Sequence, residues 1–305
     1  MKGIYANRSP LFQTGVLFVM LLSGFVISTV ITSFIYLVPG ITSGNLAFSP
    51  IDQPVWALQS AQFISAVLTF LFPALSTAWL CSDQPKDFLS IRAFPSVRLL
   101  ALICLTTLLL APTVSLTSYF NEQMRLPTFM ASIEEWMKST EELANSLIQK
   151  TVSEKGVIAF IINLIVIAVA AGITEEFFFR GALLRIIQRK IRNHHIGIWG
   201  VAIMFSAIHF QFYGFVPRML LGCYLGYLVY WTRNIWTPVF AHFFYNAVAF
   251  IGMSNASLKE HAFFADEIVP EDIRWLSITA GVCLILFIYC IRLIARFDSS
   301  KQESE

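Results

Sequence analysis

Apolar residues in this chain come in long unbroken runs separated by short polar stretches. Eight runs can be marked, over roughly 11–38, 56–81, 97–119, 156–183, 196–213, 217–232, 235–253 and 273–295. About 20 apolar residues in a helix cross about 30 Å of hydrocarbon, so each run is read as a membrane span, the sixth being marginal. Spans must be helical here, because backbone groups in lipid have to bond within their own segment. The expected fold is all-α: a polytopic membrane helical bundle of about eight transmembrane helices. The first run follows Lys2 and Arg8, outlasts a signal-peptide core and lacks a small-x-small cleavage site, so it is read as the first span.

Between the third and fourth runs, residues 121–155 change period. Phe129, Ile133, Trp136, Met137, Leu143, Ala144, Leu147 and Ile148 recur at helical spacing, opposite an acidic face of Glu134, Glu135, Glu141 and Glu142. This predicts an amphipathic helix on the outer membrane interface, with a cover over an active site as the sharper alternative. Residues 254–272 read as a polar connector. Gly222 and Gly226 form a GxxxG in the sixth run, a spacing that serves close helix packing. Thr232 to Pro238 reads as an interfacial turn, with Trp236 as anchor and Pro238 opening the next helix.

Composition agrees with the pattern. Of 305 residues, 56% are hydrophobic and 13% charged, where a soluble domain carries about 25% charged residues. The net charge of +2 argues against nucleic acid as a partner. Five cysteines, Cys81, Cys104, Cys223, Cys283 and Cys290, form no CxxC and lie in or beside apolar runs, so they are read as packing residues. Eight spans place both termini on one side. That side collects 13 Lys and Arg residues against 7 on the other, with Arg180 inside a span set apart. The bias puts both termini in the cytoplasm, with the protein multi-pass in the cell (plasma or inner) membrane.

Ionisable side chains inside the hydrocarbon mark a function or a buried partnership. The fourth run holds Glu175, Glu176 and Arg180 in the stretch EEFFFR. Glu176 and Arg180 are spaced i, i+4 and share a face, so they can pair. Glu175 is turned about 100° away and needs another partner. A carboxylate so placed suits a general base. The fifth run holds His209 in FSAIH, and the seventh holds His242 and Asn246 in HFFYN. The i, i+4 spacing of His242 and Asn246 aims two donors at one spot, as an oxyanion requires. Each cluster alone also reads as interhelical hydrogen bonding or an ion pair. Together they make a set for one water-activating site: Glu175 and His209 on the water, His242 and Asn246 toward the substrate carbonyl, Glu176 and Arg180 as support.

These three stretches resemble the three motifs of the CAAX-protease and bacteriocin-processing family. That family includes the type II CAAX prenyl endopeptidases and the membrane proteins similar to lysostaphin-resistance protein A. The resemblance covers roughly residues 157–250. It implies an intramembrane endopeptidase in which Glu175 and His209 activate water, Glu176 and Arg180 complete the paired-acid signature, and His242 and Asn246 stabilise the oxyanion. The chain then divides into N-terminal spans with the amphipathic helix (1–155), a catalytic core (156–253), and a loop, last span and tail (254–305). The family is often labelled metalloprotease but is better described as a metal-independent glutamic protease. There is no HExxH, although Glu175, His209 and His242 have the ligand types for zinc, and the reading without a cofactor is favoured. The implied partners are the lipid bilayer and a peptide or membrane-protein substrate, which in a bacterial member need not be prenylated. Two other readings stay open: a non-catalytic membrane scaffold or immunity protein of the same family, and a transporter whose path these side chains line. Neither related halves nor interrupted helices are visible to favour the last.

Overall fold

The structure, a computed structural model, describes residues 2–43, 49–255 and 272–302. All regular structure among the described residues is helical. The long helices are α1 Pro10–Ser43, α2 Val55–Cys81, α3 Val97–Glu122, α4 Ala131–Val152, α5 Val157–Gln188, α6 His194–Ala207, α7 Phe215–Thr232, α8 Trp236–Ser254 and α9 Ile273–Gln302. The polytopic all-α bundle expected from the apolar runs is what forms. Six of these segments are long and apolar enough to cross a membrane: α1, α2, α3, α5, the segment Phe212–Thr232 that contains α7, and α9. Their outward faces carry large apolar side chains, among them Phe18, Phe25 and Phe34 on α1 and Trp275, Ile285 and Tyr289 on α9. Lipid is the solvent that accepts such a surface.

Two of the eight expected spans differ. The fifth was expected over 196–213, but α6 ends at Ala207, so His209 sits in a turn rather than mid-helix. Phe210 takes a left-handed conformation, φ 53°, which stops the helix. The run gave no warning because Ile208, Phe210 and Phe212 keep the turn apolar. At 14 residues, α6 is too short to span the bilayer unaided. The seventh, α8, has 19 residues and is not among the six, with His242 and Asn246 lying within it. Most of the expected connector 254–272 falls outside the described residues.

The chain divides into two compact units, Met1–Arg92 with Asn145–Gly197, and Ala93–Ala144 with Ile198–Glu305. In the first, α1 packs on α2 and α2 on α5. Gly24 lets α1 approach until a Cβ there would collide with the Leu68 carbonyl of α2. That carbonyl lies in a π-helical run, Val67–Leu71. The run sits just ahead of Pro73, which has no N–H for a regular helical bond. Buried Gln59 donates to Asn163 Oδ1 at 2.8 Å, and Asn163 donates to the Thr151 carbonyl at 3.0 Å. Lys150 Nζ donates to the Ile51 carbonyl.

In the second unit α3 is central, packing on α7, α8 and α9. Its core joins Leu99, Ile103, Leu110 and Val114 to Leu221, Leu225 and Leu228 of α7. Tyr224 adds a buried hydroxyl 2.7 Å from Thr106 Oγ1. Gly222 and Gly226 place α7 against α6, with Ala202 and Ile198 directly opposite, so the GxxxG serves packing.

Candidate functional site

The first motif lies on α5, between π-helical runs at Leu164–Ala170 and Phe177–Leu183. Such runs re-aim side chains relative to a regular helix. The expected pair forms: Arg180 Nη1 donates to Glu176 Oε1 at 2.7 Å. Their side chains are 0% and 1% exposed, Glu176 being the more buried. Phe177, Phe178 and Phe179 are all buried, and the Arg180 guanidinium lies 5.9 Å from the Phe179 ring centroid. Phe70 of α2 meets Phe178 edge-on at 5.6 Å and Phe179 at 6.0 Å. Glu175 is partly buried, with its Oε2 shielded from solvent. Charges this far from water are held by partners, because the desolvation of each ion costs several kcal/mol.

The second and third motifs meet in the other unit. Phe205 of α6 is 2% exposed. Its ring lies 5.1 Å from the imidazole of His209 and 5.9 Å from that of His242, edge-to-face with both. His209 Nδ1 is 2.7 Å from the Phe205 carbonyl. A carbonyl only accepts, so the bond requires the proton on Nδ1 and leaves Nε2 of the neutral ring as the accepting nitrogen. His242 is buried on α8, and Asn246 follows one turn later, partly buried. The structure thus brings together Glu176 with Arg180, and His209 with His242 through Phe205.

The turn that bears His209 is held by residues that the motif reading did not single out. The amide of Asn121, at the end of α3, donates to the Phe212 carbonyl and accepts from Val216 N–H, both at 2.8 Å. Ser206 Oγ donates to the Phe215 carbonyl at 2.7 Å, and Arg218 Nη2 donates to Gln211 Oε1 at 2.7 Å. The amphipathic helix, expected from its spacing, forms as α4 and lies against this turn. The Trp136 ring is 5.2 Å from that of Phe212, and Glu141 Oε2 accepts from Tyr213 N–H at 3.3 Å. A lone Asn closing an apolar run was the signal for Asn121, but a sequence does not show what such an amide reaches. Among the described residues, no three His, Cys, Asp or Glu side chains converge into a group that could hold a metal ion.

The segment from α5 to α8 carries all three motifs. Residues 157–248 match the family of type II CAAX prenyl endopeptidases, Rce1-like. The resemblance read from the motifs rests on this same Rce1-like segment. The uncharacterized protein YpbD of Bacillus subtilis (strain 168) is 30% identical over 90 residues, 28% of this chain and 43% of its own length. The chain therefore spans less than half of that relative. No solved structure matches. The Rce1-like segment carries a CAAX-protease type of fold in a multi-pass membrane protein. The remaining helices, α1 to α4 and α9, lie outside it.

Proposed function

We propose that this protein is an intramembrane endopeptidase of the CAAX type, cutting a peptide bond of a membrane-associated or peptide substrate with activated water. The observation that carries the reading is the family match, which takes in Glu175, Glu176, Arg180, His209, His242 and Asn246 in one segment. Glu175 takes the proton of the water, and His209, accepting at Nε2, orients it. The hydroxide adds to the carbonyl without an acyl-enzyme. His242 and Asn246 donate to the oxyanion. The proton then passes from Glu175 to the departing amine. Glu176, bonded to Arg180, braces the helix that presents Glu175. No metal takes part in this reading, and the substrate need not be prenylated. The protein lies in the cell membrane with both termini in the cytoplasm, as the Lys and Arg bias supports.

The test is a comparison of membrane peptides in cells carrying the wild type, Glu175→Ala or His209→Ala. Peptides cut by the wild type should accumulate uncut in both variants. On a substrate so identified, each change should lower cleavage by on the order of 10²-fold or more. The double variant should be little worse than either single one, because residues serving one step are not additive. Undiminished cutting by Glu175→Ala would sink the mechanism. Loss of activity on chelation, with recovery on adding zinc, would replace it with a metal-dependent one.

A further inference from the structure

We infer that Asn121, from a helix outside the Rce1-like segment, is a positioning residue that fixes the turn presenting His209. The inference rests on the proposed role of His209. The turn from Ile208 to Gly214 is not self-sufficient. Phe210 holds φ 53°, a left-handed conformation that is unfavourable for a residue with a Cβ. The helix that follows opens at Gly214, which supplies no side-chain cap. The first amides of α7 therefore need acceptors from elsewhere.

Asn121 meets both needs with one side chain. It is 4% exposed, so its amide has no ready exchange with solvent. Its Oδ1 takes Val216 N–H, one of those first amides, and its Nδ2–H holds the Phe212 carbonyl, each at 2.8 Å. One of these groups opens the short 3-10 helix Phe212–Gly214 and the other lies two residues beyond its end. One amide so placed fixes their separation and the direction in which the chain leaves His209. At the other end, His209 is tied back to Phe205 through Nδ1. With both ends set, Nε2 has one direction in which to accept a proton. Ser206 and Arg218 also bond across the turn, but they lie on the two helices that it joins. Asn121 ties the turn to α3, the central helix of that unit.

The test uses the full chain in detergent micelles, with Asn121→Ala and the milder Asn121→Ser, whose hydroxyl is too short to reach both backbone groups. Two readouts need no substrate: amide hydrogen exchange across 208–216, and the rate at which diethylpyrocarbonate labels His209 relative to His242. Exchange at Val216 should rise by about tenfold or more in Asn121→Ala and less in Asn121→Ser, with a parallel change in the labelling of His209. On a cleaved peptide, kcat should fall by on the order of 10²-fold with KM within about twofold, because a misplaced group costs rate more than binding. If a folded Asn121→Ala or Asn121→Ser protein shows wild-type exchange and labelling, the inference is overturned, whatever happens to cleavage. A His209→Ala protein that still cuts refutes the catalytic reading instead and leaves the bonding of the turn untouched.

Discussion

The first-motif pair and the second-motif turn both keep polar groups inside an apolar protein, by opposite means. Glu176 and Arg180 are one turn apart on α5, so their 2.7 Å bond is within reach as soon as that helix forms. The turn at 208–214 relies on Asn121, Trp136, Glu141 and Arg218, three of them more than seventy residues away for the contacts they make. One arrangement rests on a bond between two opposite buried charges. The other is spread over several contacts, among which the neutral hydrogen bonds of Asn121 are worth about 1 kcal/mol net each. The pair should therefore fail all at once when a partner is removed, and the turn should loosen by degrees.

The sharpest break of this contrast is Arg180→Met. It leaves Glu176 buried without its cation, and the expected loss is about 3–5 kcal/mol in reversible unfolding in mixed micelles. Glu176→Gln together with Arg180→Met should recover most of that loss, since a buried ion pair and a neutral replacement of similar volume are often equivalent. A single Arg180→Met protein destabilised by less than about 1 kcal/mol would remove the contrast, because the pair would then be no more than one weak bond among many.

A smaller effect is expected where the second motif touches the GxxxG. A Cβ at Gly222 would lie 3.1 Å from Ala202 Cβ and 3.3 Å from both Ala202 Cα and Phe205 Cδ1. Gly222→Ala must move α7 off α6 or tilt the ring that rests against both His209 and His242. Overpacking of this kind costs about 1–3 kcal/mol. Activity should fall with stability, since the ring orients both imidazoles. Gly15→Ala is the control: nothing lies within 4 Å of its added Cβ, and replacing a glycine inside α1 should stabilise by about 0.5–1 kcal/mol. Equal losses in the two variants would show that packing at Gly222 is not special.

How far these features were legible follows from their range. The spans were legible because lipid demands long apolar runs, and Glu176 with Arg180 because i, i+4 spacing is a local rule. Gly222 and Gly226 were legible for the same reason. The end of α6 at Ala207 was not, since Ile208, Phe210 and Phe212 extend the apolar run while Phe210 turns the chain. Nor was the task of Asn121, whose bonded partners lie some ninety residues on, at Phe212 and Val216. The period of α4 predicted a helix, but no local rule says that Trp136 meets Phe212.

The smallest effect concerns how α4 holds the turn, and its sign follows from two carboxylates on one helix. Burial pushes the Glu141 carboxyl above its ordinary value of 4.5, with Tyr213 N–H and the Arg218 charge pulling partly back. A raised value means that its contribution to folding is fully present below the unfolded pKa and declines as pH rises through the folded one. Glu134 runs the other way. The hydrogen bond from Lys138 and that from Leu126 N–H hold it below 4.5, so its contribution is present above that value and lost as pH falls through the lowered one. Glu141→Gln keeps an oxygen for Tyr213 N–H and removes the charge. Protection of the Tyr213 amide against exchange should therefore be greater in the variant at pH 7 and equal to the wild type near pH 4, leaving only the acid-side loss due to Glu134. Weaker protection in the variant at pH 7 would mean that the ionised carboxylate strengthens its bond to Tyr213 by more than burial costs it. The latch between α4 and the turn would then be charged, like the pair on α5, and the two regions would differ in range alone.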